Sequence, residues 1–203
     1  MKKIVLMALF MLLVPYIVVA SEGWMSVNYI PIFEWGTVKI YSGGNYNSTS
    51  KGFSMYPVLD VSGIEYYGEK EQLGLGASFM LGYNYSVATT SGLRIESSQT
   101  LFAGRLTFQY RQPLNERIDL EAGGGIQYSS SLTHSTILDD SSMTFGPTLG
   151  SGVLFKISDS LGFRTGMNIY MPLVAKVSSL YNYDITYFGL DVMPYIGMAF
   201  KYR

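Results

Sequence analysis

Between Thr186 and Arg203 the chain reads TYFGLDVMPYIGMAFKYR. Phe188, Leu190, Val192, Pro194, Ile196, Met198, Phe200 and Tyr202 alternate with Gly189, Asp191, Tyr195, Gly197, Ala199 and Lys201. A strict period of two gives a strand with two unlike faces. The pattern recurs upstream. Leu73, Leu75, Phe79, Leu81 and Tyr83 oppose Gly74, Gly76, Ser78 and Gly82, and Phe102, Leu106, Phe108 and Tyr110 oppose Ala103, Arg105, Thr107 and Gln109. Ile118, Leu120, Ile126 and Tyr128 oppose Asp119, Glu121, Gly123, Gly125 and Gln127. Phe145, Leu149, Val153 and Phe155 oppose Thr144, Gly146, Thr148 and Gly150, and Phe163, Met167 and Ile169 oppose Arg164, Gly166 and Asn168.

Polar and Gly-rich breaks divide the chain into eight expected strands, 24–41, 53–67, 72–87, 98–112, 117–130, 142–156, 161–175 and 185–203. Short turns at 67–72, 112–117 and 156–160 alternate with longer Ser-, Asn- and Tyr-rich stretches at 41–52, 88–98, 131–142 and 177–184, which are expected to be loops. Short turns at one end and longer loops at the other describe an up-and-down antiparallel meander of even strand number. Closing it removes the exposed edges that eight strands would otherwise present.

Volume decides which face looks outwards. An eight-stranded barrel has an interior only wide enough to be filled by side chains. Small residues therefore belong at the axis and the Leu, Phe, Ile and Met face belongs outside. A continuous apolar belt of that kind cannot stand in water, so it meets lipid. The expected fold class is all-β: an eight-stranded antiparallel up-and-down transmembrane β-barrel over residues 21–203. Tyr67, Tyr110, Phe155, Phe163, Phe200 and Tyr202 near the turns, and Trp35, Phe53, Tyr85, Tyr128, Phe145 and Phe188 near the loops, are expected to form two interfacial girdles. The charged fraction is 14 %, against about 25 % for soluble domains.

Residues 1–20, MKKIVLMALFMLLVPYIVVA, have a basic start, an apolar middle and Val18-Val19-Ala20 before Ser21. This reads as a signal peptide cut after Ala20; the apolar run is shorter than the roughly twenty residues of a spanning helix. The chain has no Cys and one His, which excludes thiolate chemistry and leaves no metal cluster to build. Net charge is −1, so no polyanion-attracting field exists and nucleic acid is not an expected partner. No cofactor is implied.

The mature chain resembles the small eight-stranded outer-membrane proteins of the OmpA-barrel, OmpX and OmpW type, and its last strand looks like their C-terminal recognition strand, except that Tyr202 is penultimate and Arg203 terminal. The resemblance implies location in the bacterial outer membrane. It also implies outer-membrane lipids and the barrel assembly machinery as partners, and an external ligand or host surface as a partner of the loops. It points to a non-enzymatic surface barrel, or to an OmpW-type conduit for small solutes.

Two residue groups carry the chemistry. The inward face collects Asp60, Asp119, Glu121 and Asp191 against Arg105, Arg111, Arg164 and Lys201. Buried charges must be paired and hydrogen-bonded, so these eight are expected to form a salt-bridged plug in a polar lumen, with Arg111 opposite Asp119 if the turn centres near Asn115; the alternative is a narrow ion path. The loops repeat NYNS, YNYS and YNYD, the composition of adaptable binding surfaces, which makes Tyr46, Tyr85, Tyr181 and Tyr183 candidate binding residues together with His134. His134 is also the one available general base. Outer-membrane hydrolases that trim lipid A use a His–Ser–acid set, but here Thr136, Asp139 and Asp140 follow His134, a poor match for the nucleophile.

Overall fold

A computed structural model describes residues 22–42, 45–68, 70–90, 93–135, 139–179 and 183–203, with side chains described outside 38–54, 86–95, 135–140 and 174–188. The expected signal peptide lies outside these residues.

Nine strand segments form one antiparallel sheet: β1 (Glu22–Ser42), β2 (Asn45–Tyr67), β3 (Leu73–Thr90), β4 (Leu93–Asn115), β5 (Ile118–Ser135), β6 (Asp139–Lys156), β7 (Leu161–Tyr170), β8 (Val174–Ser179) and β9 (Tyr183–Lys201). Segments β7 and β8 both pair with β6 and form one barrel strand, interrupted at Met171, Pro172 and Leu173. The break follows from Pro172, which has no N–H for a ladder. Its neighbours stay attached to β6, Met171 N donating to Pro147 O at 3.0 Å and Leu173 N to Phe145 O at 2.9 Å. Sequential neighbours pair throughout, β5 pairs β6, and β9 pairs β1, so the ring of eight closes.

Local chemistry fixes the three short turns. Gly68 (φ 87°) and Glu71 (φ 50°) take the left-handed conformation, and Glu71 N donates to Gly68 O at 3.0 Å. Asn115 Oδ1 accepts from Arg117 N at 2.8 Å, and Ser158 Oγ accepts from Leu161 N at 3.1 Å.

The stretches expected to be long loops differ. Strand pairing continues through most of 41–52, 88–98, 131–142 and 177–184, from Ser42↔Asn45 and Thr90↔Leu93 to His134↔Asp139. Three of the four connections, β1–β2, β3–β4 and β5–β6, are tall hairpins rather than loops, whereas at 177–184 β8 pairs with β6 and β9 with β1. Beyond lipid a strand needs no apolar outer face, so Ser, Thr, Asn and Tyr suffice, and Thr and Tyr favour strands.

The lipid-facing parity is as expected: Leu73, Phe79, Leu81, Phe102, Leu106, Phe108, Leu120, Ile126, Leu149, Met167, Ile196, Met198 and Phe200 are all exposed on the outer wall. Trp35, Tyr85, Tyr128 and Phe145 lie near one rim and Tyr110, Phe155, Phe200 and Tyr202 near the other, all exposed. Phe145 and Phe155 stand about ten residues apart on β6, roughly 33 Å along a strand and roughly 25 Å of height at a tilt near 40°, the height of a lipid-facing band.

Strands β1 and β2 depart from the rule of small residues inside. Their inward parity carries Trp24, Ile30, Ile32, Tyr56, Val58, Ile64 and Tyr66, all buried. The lumen is therefore not polar throughout. One apolar layer, Trp24, Ile64, Tyr66, Leu154 and Ala199, lies towards the turn end. A second, including Ile30, Ile32, Tyr56, Val58, Met80, Leu101, Tyr170 and Met193, lies towards the hairpin end.

Candidate functional site in the lumen

The candidate site is the column of polar side chains on the inward parity. At the turn end, Glu22 accepts from the Arg111 guanidinium and from the Trp24 indole, and its other oxygen accepts from Lys201 Nζ at 3.0 Å. Arg111 reaches Glu71 at 3.5 Å and Asp119 at 3.6 Å, and Asp119 is also held by Lys156 Nζ at 2.9 Å. The Arg111 guanidinium lies 4.0 Å above the Tyr66 ring, a cation–π contact.

Tyr66 links this rim to the middle. Its hydroxyl donates to Glu121 Oε1 at 2.6 Å, and Arg164 grips both oxygens of Glu121, Nε to Oε2 and Nη2 to Oε1, each at 2.6 Å. Glu121 and Arg164 are 5 % and 4 % exposed, so this two-pronged charge-assisted pair is shielded from bulk solvent. Arg164 Nη1 reaches Ser26 Oγ at 3.4 Å. From there Ser26, Ser62 and Asn28 run to Asp60, to whose Oδ2 Asn28 donates at 2.8 Å. Arg105 lies 3.9 Å from Asp60.

Glycine makes room for these side chains. A Cβ on Gly152 would run into the Tyr195 hydroxyl and one on Gly150 into the Asn168 amide. Tyr195 and Asn168 both lie on the inward parity and line the small cavities between Asp60, Arg105 and Thr148.

Of the eight expected lumen charges, Asp60 and Arg105 form one pair, Arg111 and Asp119 another, and Glu121 and Arg164 a third, while Lys201 joins Glu22. The register of Arg111 differs from the expectation. The turn centres on Glu116 and Arg117, a bulge falls between Pro113 and Asn115, and Arg111 stands directly across from Glu121. It still reaches Asp119 because its side chain is long. Asp191 is set apart from the column. It is paired across β1–β9 with Glu34, beyond the second apolar layer.

Sequence reasoning missed Glu22, Glu34, Tyr66, Glu71 and Lys156. The parity of β1 holds a usable signal, since Glu22, Ser26, Asn28 and Glu34 share one face.

The candidate binding residues fall on the tall hairpins. Tyr85 is exposed on β3 opposite Ser98, and His134 is exposed on β5 opposite Ser98 and Asp139. Tyr46 and Tyr183 lie on β2 and β9, and Tyr181 lies outside the described residues, as does Thr136. Among the described residues no group of three His, Cys, Asp or Glu could hold a metal ion.

No protein-family model and no curated protein matches the chain. Solved structures match its architecture. The outer membrane protein OprG from Pseudomonas aeruginosa matches with a TM-score of 0.65 at 13 % identity, covering 91 % of this chain and 97 % of that one. The fold is that of the bacterial outer-membrane β-barrels. The outer membrane protein AlkL, solved in DMPC lipid bilayers, matches with a TM-score of 0.51 at 13 % identity over 90 % of each chain. The outer membrane protease OmpT from Escherichia coli matches with a TM-score of 0.51 at 6 % identity, over 90 % of this chain and 97 % of that one.

Proposed function

We propose that this chain is a non-enzymatic barrel of the bacterial outer membrane, closed along its axis by a salt-bridged plug, with contacts to other molecules made by its tall hairpins. The observation that carries the reading is the Glu121–Arg164 pair, both of whose side chains are buried and joined at 2.6 Å, next to Tyr66 and the Glu22–Arg111 contact. Opposite charges that lock across so narrow a bore leave an ion no acceptor to exchange with. The exposed Tyr85 and His134 supply binding chemistry above the lipid. External ligands and host or envelope surfaces are the partners this reading implies. Planar-bilayer recording tests it: the purified barrel is expected to give no steady openings, and sustained large-conductance openings from pure protein would overturn the plug.

A second reading, a conduit for small solutes opening through the wall, is favoured by one feature. The ladder between β7 and β9 ends at Tyr170↔Asp191, just below the break at Pro172. Uptake by cells carrying the protein, compared with cells carrying a Pro172→Ala variant, separates the two.

A further inference from the structure

The middle of the lumen holds a cavity of about 30 Å³. Asn28 on β1, Asp60 on β2, Ser78 on β3 and Arg105 on β4 line it. The ladders bring them together: Asp60 stands across from Asn28, and Ser78 stands across from Arg105 on one side and Ser62 on the other. Arg164 borders the same cavity, but its Nε and Nη2 are engaged by Glu121. Asp60 and Arg105 form an ion pair without a hydrogen bond. Arg105 Nη2 lies 3.9 Å from Asp60 Oδ1, with side chains 9 % and 1 % exposed. Charge-assisted bonds of this kind close at about 2.7–2.9 Å, and a polar contact beyond about 3.5 Å leaves room for a bridging water.

A separate observation defines the ligand. Among the described residues, Asn28 Oδ1, Asp60 Oδ1, Ser78 Oγ and Arg105 Nη1 are buried and meet no protein partner. A buried polar group left unmatched is costly. The amide and carboxylate oxygens only accept, the guanidinium only donates, and the hydroxyl does either. A ligand for this set must therefore donate and accept at once. A halide would meet Asn28 and Asp60 with no proton to offer. A metal ion or an ammonium group would meet Arg105 with nothing to accept its proton. Water does both.

We propose that this cavity is a binding site for two water molecules that link Arg105 to Asp60. At about 10–15 Å³ for each water, its volume holds two. One water accepts from Arg105 Nη1 and donates to Asp60 Oδ1. The second donates to Asn28 Oδ1 and bonds to Ser78 Oγ and to the first water. All four atoms are then matched, and each water makes about three bonds, the usual number for a buried one. The column of charges thus has two kinds of joint. Glu121 and Arg164 touch directly, whereas Arg105 and Asp60 are held apart by neutral molecules, so that joint can change its length without baring a charge.

The test is a crystal structure of the refolded barrel, grown in sodium bromide, at a resolution that shows ordered water. The expected result is two peaks without anomalous signal, one within hydrogen-bond distance of Arg105 Nη1 and Asp60 Oδ1 and the other within reach of Asn28 Oδ1 and Ser78 Oγ. An empty cavity, a single peak, a bromide peak, or Arg105 bonded directly to Asp60 would each overturn the assignment. Urea titration gives a second reading. Ser78→Val removes the hydroxyl and fills part of the cavity, whereas Ser78→Asn fills it with an amide that donates and accepts. The valine variant is expected to raise the unfolding constant at least about tenfold, the cost of unmatched buried groups, and the asparagine variant distinctly less. Equal losses in the two, or none in Ser78→Val, would also overturn it. If neither variant gives the heat-modifiable gel shift of a folded barrel, the crystal structure alone decides. None of these readings depends on whether the bore conducts.

Discussion

Replacing Glu121 by Gln tests whether the Glu121–Arg164 pair is as shielded from bulk solvent as the geometry requires. Arg164 is 4 % exposed and spends Nε and Nη2 on the Glu121 carboxylate, each at 2.6 Å; its remaining contact is Ser26 at 3.4 Å. Glutamine keeps the shape but removes the charge and presents an amide N–H to the guanidinium. The substitution leaves a buried cation uncompensated, which costs about 3–5 kcal/mol, roughly a hundredfold to several thousandfold in the folding equilibrium. Removing both partners is different. Glu121→Leu with Arg164→Met removes both charges of the pair, and such replacements are often neutral or stabilising, but here the buried Tyr66 hydroxyl also loses its Glu121 acceptor, which costs about 1–3 kcal/mol. The double variant is therefore expected to lose less stability than the single variant. Urea titration of the barrel refolded in lipid vesicles measures both, with Trp24 and Trp35 as reporters, one buried in the lumen and one facing lipid. A single variant that costs less than about 1 kcal/mol, or a double variant that costs more than the single, would refute the reasoning: the bore would be wet enough to solvate Arg164.

Two further predictions concern the seam between the first and last strands. Tyr202 lies across Gly23 on β1 and donates to Glu65 on β2 at 2.9 Å, and a Cβ on Gly23 would stand 2.5 Å from its ring. Gly23→Val is expected to lift the ring off and lose about 1 kcal/mol from the hydrogen bond alone, lowering the temperature of the heat-modifiable gel shift by roughly 2–4 °C; an unchanged transition would show that the ring contributes nothing. Burial, then the hydrogen bond to the Glu65 carboxylate, pushes the Tyr202 hydroxyl up to about 12. A tyrosine raised above its ordinary value of about 10 contributes stability that is complete below pH 10 and lost as pH rises through 12. Urea midpoints should therefore fall more between pH 9 and pH 12 in the parent than in Tyr202→Phe, and identical falls would refute the linkage.

The fold was legible where one face of a strand is small. From β3 onwards Gly, Ser and Thr alternate with Leu, Phe and Ile, so parity and barrel volume together assign the faces. In β1 and β2 both parities carry bulk, because these strands supply Trp24, Ile30, Tyr56 and Tyr66 to fill the space opened by glycines such as Gly74, whose Cβ would lie 2.9 Å from the Tyr66 ring. Such exchange of volume between neighbouring strands has no signature within one strand. The charges of the site were readable by the same parity, but their partners were not. Glu22 and Lys156 stand at strand ends and Glu71 in a turn, where alternation stops, and the bulge between Pro113 and Asn115 moved the partner of Arg111 by two positions. The hairpins were misread as loops because outside lipid a strand can be polar on both faces.

Those hairpins have a consequence for access. Strand β5 runs on from Tyr128 to Ser135, and β2 begins eight residues before Phe53, roughly 20–26 Å of wall measured along the strands. The mouth of the bore is thus a shaft standing clear of the headgroups, and the Glu34 and Asp191 carboxylates lie at its foot. Antibodies and other bulky visitors can touch only the parapet, and whatever reaches the two acids must first be slim enough to descend.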